Sequence, residues 1–379
     1  MSKPASSTFA ASFDLDPELL KAAGIAVRDS MKIQPGERVL LVTNPPREVM
    51  TISAALFDAV LEAGGAPTIV VQGIKAQMDY AEDSVIAAFK AKPDVVMSIS
   101  AEKLGKDREA IAKPYLHGGA SYDHLFHYLL RGERSIRAFW SPSVTTAMFR
   151  KTVPIDYALL QDRCRRIAAI LDASVSVRVT NPNGTDLRIG LRGRKAKSDD
   201  GDFSRPGTGG NLPAGEVFVS PALGAAEGLI VYDGSIADQV GDIIIREPIR
   251  CRVEGGFVVD LAGGEEAAAL RRTLDAAAES ARRLGAEGKL PPDKAEAYAK
   301  NARSIGELGI GLNPRAAVIG NMLEDEKAFK TCHFAIGSNY DEDAPALIHL
   351  DGLVSRPTIV AYGPQGEETF IERDGELLI

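Results

Sequence analysis

Cysteine is scarce, and its three copies, Cys164, Cys251 and Cys332, stand far apart with no C-x-x-C pair. Such a set excludes a disulfide framework and fits a reducing compartment. No apolar run approaches the roughly 20 residues that a membrane span requires, and the N-terminal MSKPASSTFAASFDLD has no apolar signal-peptide segment. Long Lys/Arg runs are also missing, and 44 basic against 52 acidic residues leave a net charge of −8. That balance argues against binding nucleic acid through its phosphates. There is no G-x-x-x-x-G-K-[ST] phosphate loop, and AGGAP (63–67) follows a helical pattern, not a strand, so it is no dinucleotide fingerprint. These absences lead to the expectation of a cytoplasmic protein without nucleic-acid or membrane partners.

What is present is a chain of 379 residues, 45% hydrophobic and 25% charged, enough for two or three cores. In the first half, RVLLVTN (38–44), PTIVVQG (67–73) and DVVMSIS (94–100) read as short strands. Helical spacing over 49–64 lies between the first two, so an α/β layer with parallel strands is predicted. A further helical run at 157–172 leads into SVSVRV. The second half is richer in strands: EVFVSP (216–221), GLIVYDG (228–234), IIIREP (243–248) and the hairpin RCRVEGGFVVDL (250–261). A helix over 265–284 follows, then GKLPPDK, then ELGIGLN, CHFAIG and LIHLDGL as strands. The expected organisation is an α/β N-terminal domain, 1–174, and a mixed, β-rich α+β domain, 175–379, that binds metal. The Gly-rich GDFSRPGTGGNLPAGE (201–216) lacks the lysine of a phosphate cradle and is expected to be a mobile loop.

Two of the five histidines fall within TCHFAIGSNYDEDAPALIHLDG (331–352). Alternation along a strand puts Cys332, Phe334 and Ile336 on one face and His333, Ala335 and Gly337 on the other. The same rule aims His349 and Asp351 together, and pairs Glu307 with Gly309. Three strands carrying nitrogen or carboxylate donors beside small residues form a candidate metal site. Of the other histidines, His117, His124 and His127, the i, i+3 pair His124 and His127 could share a metal on one helix face, but only Asp123 lies nearby, and a structural or supporting role is expected. Trp140 and Cys332 are expected to pack, and DEDA (341–344) to form a solvated turn.

Five short motifs, PAGEVFVSP, IGELGIG, EDEK, TCHFAIGSNY and IHLDG, occur in this order. In them the second half resembles the thermophilic-type aminopeptidases, the aminopeptidase T and S family of metallopeptidases. The resemblance implies metal ligands at Glu216, Glu307, Glu326, His333, His349 and Asp351, and an active-site tyrosine at Tyr340. Two extra residues separate the DE pair from CH, so Glu324 competes with Glu326. It further implies two divalent cations (Zn, Co or Mn) per chain and a homodimer acting on short peptides. A metal-bridging hydroxide would attack the peptide carbonyl, Glu326 would relay the proton, and Tyr340 would stabilise the oxyanion.

Two rivals stand beside that expectation. Ring-cleaving dihydroxypyridine dioxygenases resemble the same fold and keep an H-x-D within a two-His-one-carboxylate iron site. They place a histidine at the position of Glu307. The other rival is a non-catalytic, metal-stabilised binding protein.

Overall fold

The computed structural model describes residues 9–76, 78–238 and 241–379. The first eight residues of the N-terminal stretch read above lie outside these. The chain divides into two compact units, one of residues 1–161 and 199–214, the other of 162–198 and 215–379. The division falls inside the Tyr157–Ala173 helix, ahead of the expected boundary at 174, and residues 199–214 belong with the first unit.

Five parallel strands build the sheet of the first unit. Their spatial order is Ala66–Val71, Arg38–Thr43, Val95–Ser100, Arg137–Pro142 and Gly209–Asn211. Val95–Ser100 is buried along its whole length, as expected of a parallel strand covered on both faces. The Arg47–Glu62 helix supplies part of that cover through Ile52, Leu56 and Val60. The Pro17–Ile25 helix starts sharply because Asp16 accepts the amides of Glu18 and Leu19, both at 2.9 Å, while Pro17 needs no donor. Gly209–Asn211 corrects the expectation of a mobile loop over 201–216. Paired in parallel with Ala138–Trp140, it becomes an edge strand of this sheet.

Beyond the C-terminal ends of Val95–Ser100 and Arg137–Pro142 lies a cavity of about 630 Å³, lined in part by Ser100, Lys103, His124, His127 and Trp140. His124 is hydrogen-bonded at both ring nitrogens. Its Nδ1 accepts the Phe126 amide at 3.0 Å and its Nε2 donates to the Gly105 carbonyl at 3.1 Å.

The second unit contains two antiparallel sheets. One runs Phe257–Ala262, Ile249–Glu254, Ala226–Tyr232, Asp186–Gly190, Ser176–Thr180, Thr358–Tyr362, Glu368–Arg373. In the other, Ser235–Asp238, His349–Ser355, Thr331–Gly337, Ile305–Gly311 and Glu216–Val219 lie side by side. The expected helix is present as Glu265–Ala286, burying Leu270, Leu274, Ala277 and Ala281. No helix among the described residues is long and apolar enough to cross a membrane.

Candidate metal centre

The strand register brings the distant motifs together. Glu216 pairs with Gly311, Glu307 with Ala335, and Ala335 with Asp351, while Gly309 opposes His333 and Gly337 opposes His349. Directly paired residues share a face, so all these donors rise from one face of the sheet. Glycine and alanine fill the gaps between them. A Cβ on Gly309 would lie 2.0 Å from His333 Nε2, so only glycine leaves room for that imidazole. The opposite face carries Cys332, Phe334 and Ile336, but the expected contrast between a packed and an open face is absent. Every residue of Thr331–Gly337 is buried, so the polar face forms an interior pocket of charge.

Two groups of donors result, each with ligand atoms within 4.8 Å of one another: Glu307, His349 and Asp351, and Glu216, Glu326 and His333. His349 Nε2 lies 3.3 Å from Glu307 Oε2 and 3.3 Å from Asp351 Oδ1. Its other nitrogen, Nδ1, donates to the Ser338 carbonyl at 2.8 Å. That bond fixes the ring and its tautomer, the arrangement usual for a metal-bound imidazole. His333 Nε2 donates to Glu307 Oε1 at 3.3 Å and lies 3.7 Å from Glu216 Oε2. Among the described residues, Glu216 Oε2, Glu307 Oε2 and Asp351 Oδ1 are buried without a hydrogen-bond partner. Buried carboxylate oxygens left this way are costly. Glu307 Oε2 and Asp351 Oδ1, both 3.3 Å from His349 Nε2, fit a divalent cation of the Zn, Mn or Fe(II) kind.

Protons and hydrogen bonds among these groups offset part of the buried charge. Burial lowers the basicity of His333, but its bond to Glu307 and the nearby Asp351 reverse this and push it up to about 9. For Asp351, burial works against ionisation, yet His349 beside it brings the carboxyl down to about 2. Burial pushes Glu326 up to about 8, against the pull of Lys327.

The two glutamates before His333 take different places. Glu326 joins the donor group, whereas Glu324 turns to the preceding loop and accepts the Ala317 amide at 2.9 Å. Tyr340 stands beside the centre with its ring 5.1 Å from those of His349 and Phe218. DEDA forms a turn exposed at Glu342 and Asp343 and pinned by ion pairs. Asp341 pairs with Lys197 at 3.1 Å, and Asp343 with Arg194 at 2.8 Å.

Sequence reasoning missed one member of the site. Lys327 is fully buried, and its Nζ donates at 2.6 Å to both Glu216 Oε1 and Glu326 Oε1. The residue lies within the EDEK motif, but lysine is so rarely buried that nothing in the pattern marks it as internal.

The family model described as NicX, 2,5-dihydroxypyridine 5,6-dioxygenase, matches residues 145–337, just over half of the chain. The 2,5-dihydroxypyridine 5,6-dioxygenase of Pseudomonas putida is 32% identical over 151 residues, 38% of this chain and 39% of that protein. The chain thus matches only about two fifths of that relative's length. Among solved structures, 2,5-dihydroxypyridine dioxygenase from Pseudomonas putida aligns with TM-score 0.68 at 18% identity, covering 95% of this chain and 96% of the other. AmpT from Thermus thermophilus aligns with TM-score 0.64 at 19% identity, covering 96% and 99%. At such identities these two likenesses speak for the fold alone, and they agree with the expected α/β and β-rich architecture. The family and sequence matches overturn the expectation of a hydrolytic aminopeptidase. The motifs that prompted it place carboxylates and imidazoles around a cation, and a cation pocket does not by itself specify peptide hydrolysis.

Proposed function

The chain belongs to the 2,5-dihydroxypyridine 5,6-dioxygenase (NicX) family, and from that premise we propose that it is a metal-dependent ring-cleaving dioxygenase. Its substrate class is a small hydroxylated aromatic or N-heteroaromatic ring. The observation that carries the reading is a partly buried group of nitrogen and oxygen donors in a chain of this family: Glu307, His349 and Asp351. These three residues would hold the ion. When bound, the ion supplies the redox chemistry that lets dioxygen add across a ring carbon–carbon bond.

The protein's own groups arrange the reactants. Ser338 holds His349 in one tautomer through its carbonyl, so Nε2 always faces the two carboxylates. His333 steadies Glu307 from the other side. Tyr340 and Phe218 form an aromatic wall next to His349 against which a flat ring can lie. The resemblance to the dioxygenases puts their histidine at the position of Glu307, so an ion held here would meet two carboxylates and one imidazole. That harder donor set still suits Fe(II) or Mn(II).

Oxygen uptake by the protein loaded anaerobically with Fe(II) tests the proposal. With 2,5-dihydroxypyridine and related dihydroxylated rings, uptake should accompany loss of ring absorbance. A metal-loaded protein that consumes no oxygen across such a panel would refute it.

A further inference from the structure

Two donor groups lie side by side in the second unit, yet only one of them meets a fixed positive charge. Lys327 Nζ sits 2.6 Å from Glu216 Oε1 and 2.6 Å from Glu326 Oε1. Among the described residues, neither Glu307 nor Asp351 has a Lys or Arg ion pair; their partners are His333 and His349. We infer that Lys327 is the built-in cation of the Glu216–Glu326–His333 group, so this chain holds one metal ion where six donors could hold two.

The backbone leaves the lysine little freedom. Its amide donates to the Glu324 carbonyl at 3.0 Å, and its carbonyl accepts the Asn313 amide at 2.9 Å. The chain here runs tight against the Ile305–Gly311 strand. A Cβ on Gly311 would lie 2.1 Å from the Ala328 carbonyl oxygen and 3.0 Å from the Lys327 carbonyl carbon. The side chain is fully buried. Its ammonium already satisfies one oxygen of each glutamate. A divalent ion entering the same group would have to sit beside that charge in a medium that screens poorly. Removing the lysine would instead leave two buried carboxylates without their cation, an expensive state that a second ion could relieve.

One ion also agrees with the proposed chemistry, because a hydrolytic pair needs two cations sharing a water, whereas oxygen chemistry at one centre does not. The inference rests on the proposed reading only for the kind of metal; the count follows from Lys327. Metal content per chain, measured after anaerobic loading with Fe(II) and separately with Zn(II), decides it. Wild type should retain one equivalent, and Lys327→Met should retain two. Two equivalents in wild type, or one in a folded Lys327→Met variant, would overturn the inference. Should that variant not fold, Glu326→Gln keeps the lysine and should still hold one equivalent; loss of the ion would make Glu326 a ligand and overturn the assignment. A wild-type protein that holds one ion but takes up no oxygen would refute the dioxygenase reading and leave the role of Lys327 intact.

Discussion

Gly309→Ala offers a sharp test of how the fold builds its centre. The added Cβ would lie 2.0 Å from His333 Nε2, 2.1 Å from Cε1 and 2.9 Å from Cδ2. Carbon contacts settle near 3.5–4.0 Å, so the imidazole must retreat by about 1 Å or more, or the strands must part. His333 is 1% exposed and has no open space to enter. Overpacking of this kind costs roughly 1–3 kcal/mol. The displaced ring also gives up its 3.3 Å bond to Glu307. Outer hydrogen bonds that orient a ligand are worth about 10–100-fold in metal affinity, so a loss of that size is expected. Chelator competition measures the affinity, and a thermal melt of the metal-free protein measures the stability. A Gly309→Ala variant with wild-type affinity and melting temperature would refute the argument that this glycine makes room for the imidazole.

Other perturbations follow from the same geometry. In metal-free protein His333 is pushed up from 6.5 to about 9. Its contribution to stability is therefore full below pH 6.5 and lost as pH rises through 9. The melting temperature of the metal-free protein should fall across that window, and His333→Gln should flatten the fall. Glu372, buried with neither carboxylate oxygen hydrogen-bonded, is pushed by burial from 4.5 to about 8. The folded state keeps a proton that the unfolded chain releases, so this residue costs stability as pH rises from 4.5 to 8. Glu372→Gln should melt several degrees above wild type at pH 9 and close to it at pH 4. Tyr340→Leu removes the aromatic wall beside His349 and should raise KM for a ring substrate about tenfold while metal content stays unchanged.

Much of this architecture could be read from local patterns. The parallel strands of the first unit announced themselves as β-rich runs, and the hairpin at 250–261 followed from its Glu-Gly-Gly turn. Alternation alone placed His349 beside Asp351, and the register agrees, with Asp351 opposite Ala335. The family resemblance supplied Glu216 and Glu307, whose convergence depends on long-range pairing that no local window contains. Edge strand Gly209–Asn211 was missed because a glycine-rich stretch has no side-chain alternation to betray it. Lys327 was missed for a different reason: its burial depends on two glutamates, one of them 111 residues away in sequence. The reaction itself was the least legible feature, since the same donor types serve hydrolysis and oxygen chemistry alike.

The origin of the oxygen atoms in the product decides whether the chain is a dioxygenase. Fe(II)-loaded protein would turn over 2,5-dihydroxypyridine under ¹⁸O₂ in ordinary water, with mass analysis of the ring-opened product and His349→Ala as the control. Both atoms of one dioxygen should enter the product, and the variant should form none. Product oxygen drawn from water, or turnover undiminished in the variant, would contradict it.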